Sequence, residues 1–221
     1  NCHLSGWDFN GQSMSGANLG WVTLKDTTFV NADLSDANFF YASMTNVDLR
    51  GANVENADFD RATYKNTIMA DGVIKGFSMA SADDSFSIRK YTSATSDGAK
   101  ISAKISESDA TISGGAKLTL EQGAAFEITN GKTLTVASSA SVQIDTDLAS
   151  STMFNVDANS GLVFEDGATL VINLIADIAA LDDCVFDALL FDKDANIAGV
   201  SNFVKGETLF LTINGETYLG D

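Results

Sequence analysis

Large apolar residues recur at one unbroken interval of five: Leu4, Phe9, Met14, Leu19, Leu24, Phe29, Leu34, Phe39, Met44, Leu49, Val54, Phe59, Tyr64 and Met69. Neither the 3.6-residue period of a helix nor the two-residue period of a strand produces that spacing. Two residues ahead of each stands a second, mostly smaller position, read as the inward neighbour, at Cys2, Trp7, Gln12, Ala17, Val22, Thr27, Ala32, Ala37, Ala42, Val47, Ala52, Ala57, Ala62 and Thr67. A chain that turns every five residues encloses little room, so each large inward side chain needs a modest neighbour. Such an internal repeat predicts a solenoid whose Leu, Phe and Met positions are core. Ile74 and Met79 hold the same spacing, which extends the expectation to sixteen pentads.

In register the run reads ANLGW VTLKD TTFVN ADLSD ANFFY ASMTN VDLRG ANVEN ADFDR ATYKN. It resembles the pentapeptide-repeat family, whose pattern is Ala-(Asp/Asn)-Leu-x-x, over residues 2–79. The resemblance implies a four-sided right-handed parallel β-helix, one pentad per side and twenty residues per coil.

After Met79 the pattern changes. Residues 80–98 are polar, Ser-rich and aperiodic, and are expected to form a connector. From there, apolar pairs recur every eight residues: Ala110 and Ile112, Leu118 and Leu120, Phe126 and Ile128, Leu134 and Val136, Val142 and Ile144. After an offset of twelve the beat resumes with Phe154 and Val156, Leu162 and Phe164, Leu170 and Ile172. Within each pair the two-residue alternation is that of a strand with one buried face. Turn residues stand three before most pairs, at Gly115, Gly123, Gly131, Ser139, Ser151, Asn159 and Gly167. An antiparallel meander is one reading. The favoured one is a three-sided β-solenoid over 99–173, with about 24 residues per coil, stacked on the pentapeptide coils as one elongated rod. Its texture, as in GAKLTLEQGAAFEITNGKTLTV, resembles autotransporter passengers and related secreted bacterial surface proteins.

Residues 174–221 are expected to cap the solenoid, because an exposed coil edge recruits other chains. LIADIAALDDCVFDALLFDKD breaks the eight-residue beat, and TLFLTINGETYLGD reads as a hairpin turning at Asn214-Gly215. The first pentads have no comparable cap, so an upstream segment or a stacking partner is expected there. Cys2 and Cys184 fall at opposite ends of such a rod and are read as small buried residues, not a disulfide.

Charge narrows the partners. The chain has a formal net charge of −17, and it contains no proline, which suits strands paired on both edges. Residues 1–79 carry 9 acidic and 5 basic residues (net −4), and 80–221 carry 21 and 8 (net −13). Nucleic acid and anionic membranes need a basic face and are not expected as partners. The longest apolar stretch, near Leu170–Leu181, is too short to span a bilayer and contains Asn173 and Asp177, so membrane insertion is not expected either.

Catalytic signals are sparse, and the expectation is a protein that is not an enzyme and holds no cofactor or metal. His3 is the single histidine, which leaves no multi-histidine metal site and no well-placed triad. Asp192-Lys193-Asp194-Ala195-Asn196 opens like a calcium loop, but Ile197 stands where Gly is needed and Phe203 where the bidentate Glu belongs. Asp83-Asp84, Glu165-Asp166 and Asp182-Asp183 fit a solvated surface better than a polysaccharide-cleaving carboxylate pair. Trp21, Tyr41 and Arg61 are twenty residues apart at pentad corners and should stack on one outer edge, with Phe40 beside them. They are the candidate partner-contact patch. The expected role is a secreted or surface-exposed structural or adhesive protein, self-associating into a fibre or binding surface proteins and glycans. The alternative, implied by the family resemblance, is an acidic DNA mimic that inhibits a type II topoisomerase.

Overall fold

Every fifth residue from Gly6 to Asn66 holds its backbone in the left-handed region, with φ between 50° and 74°. Each lies two residues after the large apolar residue of its pentad. The next N–H closes the turn onto that residue's carbonyl, as Gln12 does onto Phe9 at 3.1 Å and Ala42 onto Phe39 at 2.8 Å. Gly, Asn and Asp adopt this conformation at least cost. They fill ten of the thirteen corners; the other three are Trp21, Tyr41 and Arg61.

The computed structural model describes residues 3–93, 100–146, 153–174, 189–191, 196–198, 210–213 and 216–219, and every regular element among them is a strand. The chain divides into two units, residues 1–78 with 91–104 and residues 79–90 with 105–221. In the first, four corners return the chain to its starting side after twenty residues. The sides are the parallel columns His3–Thr23–Ser43–Thr63, Asp8–Thr28–Asp48–Ile68, Ser13–Asp33–Asn53 and Asn18–Asn38–Asp58. The first column contains strands β1 (Thr23–Lys25), β2 (Ser43–Thr45) and β3 (Thr63–Lys65).

The Asp or Asn before the large residue serves the corner directly. Its Oδ1 accepts the N–H two residues on, from Asp8 to Asn10, Asn18 to Gly20, Asp33 to Ser35, Asn38 to Phe40 and Asp58 to Asp60. The carboxyl of Asp33 is held below its ordinary 3.8 by the Ser35 hydroxyl first, then by the Ser35 N–H, with the Asn53 amide adding to them against partial desolvation. A depressed carboxyl stabilises the fold above the unfolded value and loses that contribution as pH falls through the lower folded one.

Inside, Leu24, Phe29, Leu34, Phe39, Met44 and Leu49 are buried beside Ala32, Ala37 and Ala42. The phenylalanine rings stack coil on coil, Phe9 on Phe29 at 5.1 Å and Phe39 on Phe59 at 4.7 Å. Where Thr takes the small slot, its hydroxyl donates across the coil, Thr27 to the Leu4 carbonyl and Thr67 to that of Met44. Trp7, in the slot read as inward, is 55% exposed, with its ring stacked on Phe9 at 5.7 Å.

The last two pentads of the spacing do not continue the coil. The chain reverses through Gly72, whose φ is 91°, so β4 (Thr67–Ile68) pairs antiparallel with β5 (Ile74–Lys75). Ile74 is buried by that pairing, and Met79 bridges to Ile112 in the second unit. Residues 91–93 and 100–104 pack on the first unit. Lys104 bridges to Val73, the Tyr91 hydroxyl donates to Asn31 at 2.8 Å, and the Asn31 amide donates to the Thr92 carbonyl at 2.7 Å. Gly51 occupies its corner because a Cβ there would strike Asn31 and the Tyr91 hydroxyl. Under this segment Arg50 is fully buried, paired with Asp48 through Nη2 at 2.6 Å and Nε at 3.0 Å, with Nη1 donating to Ile101 O at 3.3 Å.

The second unit has three parallel sheets. The first joins β6 (Ser85–Ile88), β9 (Lys117–Leu120), β12 (Ser141–Thr146) and β15 (Thr169–Leu174). The next joins β8 (Ala110–Ile112), β11 (Thr133–Val136), β14 (Gly161–Phe164) and β17 (Asn196–Ala198). The last joins β10 (Ala125–Ile128), β13 (Met153–Val156) and β16 (Leu189–Phe191) to β7 (Ala103–Ile105), whose Ile105 belongs to this unit. This is the three-sided solenoid. Leu118 aligns with Val142 twenty-four residues on, and Val142 with Leu170 after twenty-eight. All the expected turn residues that are described have positive φ: Gly115, Gly123, Gly131, Ser139, Asn159 and Gly167. Ser151 lies outside the described residues.

Two departures stand out. Ser85–Ile88, within the expected connector, is a strand with Phe86 and Ile88 buried, paired in parallel with β9. β16 and β17 extend two sheets of the solenoid within the expected cap. The expected hairpin forms between β18 (Phe210–Ile213) and β19 (Glu216–Leu219), with Ile213 opposite Glu216. Cys2, Cys184, the helix-like run 175–188, Asp192–Ala195 and Asn214-Gly215 lie outside the described residues.

Asp48→Ala removes a carboxylate that holds the buried Arg50 guanidinium through two nitrogens, so it should destabilise the chain by about 3–5 kcal/mol in urea unfolding. A loss below about 1 kcal/mol would contradict the burial described for Arg50.

Candidate functional site

The three corners that lack Gly, Asn or Asp form one column. Trp21, Tyr41 and Arg61 have φ of 60°, 55° and 56°, and each follows the large residue of the fourth side, Leu19, Phe39 or Phe59. The twenty-residue register therefore places them one above another: Trp21 N–H donates to Phe40 O at 2.9 Å and Tyr41 N–H to Asp60 O at 3.1 Å. Left-handed backbone costs a residue with a bulky side chain about 1–2 kcal/mol.

The side chains recover part of that cost by packing on each other. The Trp21 and Tyr41 rings stack with centroids 4.2 Å apart and planes 10° from parallel. Phe40 stands edge-on to both, at 6.2 Å from Trp21 and 4.6 Å from Tyr41. Arg61 ends the column: its Nη1–H donates to the Tyr41 hydroxyl, and its guanidinium carbon is 5.4 Å from the Tyr41 ring centroid. An offset stack contributes about 0.5–1.5 kcal/mol, and an exposed cation–π contact about 0.5–1. Over three corners the backbone cost is about 3–6 kcal/mol, so these gains offset only part of it.

The four residues expected to make a contact patch are thus brought together. Trp21 is 59% exposed, Arg61 is exposed, and Phe40 and Tyr41 are half-buried. Beside them Asp58 and Asp60 are exposed, and Asp60 Oδ2 is 3.6 Å from Arg61 Nε. An exposed pair of this kind holds its members weakly. The column is therefore a planar aromatic surface with a cation at one end and carboxylates alongside. Elsewhere in the unit, Tyr64 lies under Lys75 at 5.6 Å, and burial raises the pKa of its hydroxyl.

Residues 27–63 match the family of pentapeptide repeats, in eight copies. The matched segment contains Phe40, Tyr41 and Arg61, and Trp21 lies one coil ahead of Tyr41. No curated protein matches the chain. Among the described residues no group of three or more His, Cys, Asp or Glu side chains is placed to hold a metal ion, and no helix is long and apolar enough to cross a membrane.

Sequence reasoning missed the corner preference that gives this column its meaning. Its signal was in the sequence, as Gly, Asn or Asp two residues after nearly every large pentad residue. If the column is not kept for stability, Trp21→Asn, which restores the usual corner residue, should change unfolding free energy by less than about 1 kcal/mol in urea. Phe39→Ala in the core should cost about 3–5 kcal/mol in the same assay. A Trp21→Asn loss as large as that of Phe39→Ala would make the column structural.

Proposed function

We propose that the chain is a non-catalytic structural and adhesive protein, a rigid β-solenoid scaffold that displays the Trp21–Tyr41–Phe40–Arg61 column to a partner at a cell surface. The observation that carries this reading is the conformation of the column. Three bulky side chains sit in left-handed backbone at one edge, where Gly, Asn and Asp serve every other corner. A column whose packing offsets only part of its backbone cost, yet which keeps an indole 59% exposed, is best accounted for by recognition.

Scaffold physics supports the same reading. Each coil is stabilised by its neighbours, so a solenoid holds surface residues at fixed spacing without further core design. The autotransporter-like texture of the eight-residue repeat supports a secreted or surface location. The net charge of −17 supports a partner that is neither nucleic acid nor an anionic membrane.

Beads coated with the chain, passed over a panel of immobilised proteins and polysaccharides, test the proposal. Retention on at least one surface should fall tenfold or more for the double variant Trp21→Asn/Tyr41→Asn, with its unfolding midpoint within a few degrees of the parent. Equal retention of parent and variant on every surface would overturn it.

A further inference from the structure

Charge is sorted by side in the first unit. The side formed by β1, β2 and β3 has no carboxylate between its corners, at residues 22–25, 42–45 and 62–65, whereas the other three carry Asp8 and Asp48, Asp33 and Glu55, and Asp58 and Asp60. Where those sides most often place Asp or Asn ahead of the large residue, this one places Thr23, Ser43 and Thr63. Residues 1–79 hold five cations, of which Arg50 is buried. The other four gather here: Lys25 on β1, Lys65 on β3, Arg61 at the corner leading into β3, and Lys75 with its Nζ 5.6 Å from the ring centroid of Tyr64 on β3. Carboxylates stand only at the margins. Asp60 is 3.6 Å from Arg61 on one, and Asp26 accepts a hydrogen bond from Asn46 at 2.8 Å on the other.

From this we infer that the β1–β2–β3 face and the aromatic column at its edge receive an acidic polysaccharide, a chain of uronate sugars whose rings lie against the column and whose carboxylates reach Lys25, Lys65 and Arg61. The inference rests on the recognition reading of the column and names the chemistry of its ligand. The register fixes the cations. Lys25, Thr45 and Lys65 align across the three strands, so the two lysines are rooted about two coil steps, or roughly 10 Å, apart with a hydroxyl between them. Thr23, Ser43 and Thr63 share their outer face, since side chains two apart on a strand point the same way. Each hydroxyl can both donate and accept, which matches the hydroxyls of a sugar.

An acidic peptide fits this face less well. Its backbone groups are engaged coil to coil, as Ser43 N–H donates to Val22 O at 2.9 Å, Thr63 N–H to Ala42 O at 2.9 Å and Asn46 N–H to Lys65 O at 2.8 Å. An extended peptide therefore cannot add to the ladder there and loses the main-chain pairing on which strand addition relies. Nucleic acid is a denser polyanion, with a charge every ~1.7 Å of duplex, than a few spaced cations can match. The acidity of the chain does not oppose a uronate at this face. Net charge is −13 in residues 80–221 and −4 in residues 1–79, and salt screens exposed charges beyond about 8 Å under physiological conditions.

The test titrates the full chain into a fluorophore-labelled oligogalacturonide, read by anisotropy, with a neutral dextran oligomer, a poly-glutamate peptide and a DNA duplex in parallel. The result expected is saturable oligogalacturonide binding that weakens as salt rises. It should fall tenfold or more in Lys25→Gln/Lys65→Gln and several-fold in Trp21→Asn/Tyr41→Asn, with unfolding midpoints within a few degrees of the parent. Lys90→Gln/Lys117→Gln, which removes the same charge from the second unit, should leave it unchanged. An equal fall in that control pair, or equal affinity for dextran, poly-glutamate or DNA, would overturn the inference. Binding lost in the lysine pair but kept in Trp21→Asn/Tyr41→Asn would overturn both the recognition role of the column and the ring placement inferred from it. No oligogalacturonide binding, with bead retention still dependent on the column, would overturn the inference and leave the proposed function standing.

Discussion

The left-handed corner, repeated every five residues, is the constraint on which the first unit depends. Four such corners close a coil of twenty residues, and the parallel ladders hold successive coils in that register without slippage from Thr23 to Lys65. Everything else follows from the closure. The interior is too narrow for two large side chains per pentad, so Ala and Thr alternate with Phe, Leu and Met. Asp and Asn oxygens satisfy the N–H groups that the bend turns away from the ladder. Side chains twenty apart are obliged to meet, which makes ring stacks of the phenylalanines inside and of Trp21 and Tyr41 outside.

The second unit solves the same problem with longer sides. Its turns again use left-handed residues, at Gly115, Gly123, Gly131, Ser139, Asn159 and Gly167, but strands of three to six residues separate them. With more room per side, pairs of large residues face inward together, as Phe126 and Ile128 do. A coil can also lengthen from twenty-four to twenty-eight residues without disturbing the alignment of Phe126 with Phe154 or Leu134 with Leu162. The register there is kept by the apolar pairs and the turns.

Much of this was legible because both repeats are periodic in the residues that face inward. The three-sided second solenoid follows from counting, while the four sides of the first unit, and with them the meeting of Trp21, Tyr41 and Arg61, are what the pentapeptide-repeat resemblance implies. What was not legible depends on segments that return from elsewhere in the chain. Arg50 and Asp48 hold neither of the two inward positions of their pentad, yet both are buried, with Tyr91 and Ile101 lying against Arg50. Ile74 keeps the five-residue beat, but Gly72 reverses the chain, and spacing alone does not report a reversal. Ser85–Ile88 is a single strand whose partner is thirty-two residues ahead, too short a run to show a period. Trp7 and Gln12 occupy slots the pattern assigns to the interior, and both are exposed.

The register of twenty is the claim from which both the aromatic column and its proposed ligand descend, and one cross-link tests it directly. Ser15 and Ser35 face each other on adjacent coils, with their Oγ atoms 3.0 Å apart. In a chain with Cys2 and Cys184 replaced by Ala, the pair Ser15→Cys/Ser35→Cys should oxidise to a disulfide nearly quantitatively and without loss of stability, because neighbouring strands bring the Cα atoms within disulfide range. Ser15→Cys/Asp36→Cys, one residue out of register, should not. Failure of the first pair, or equal efficiency of the two, would contradict the twenty-residue coil.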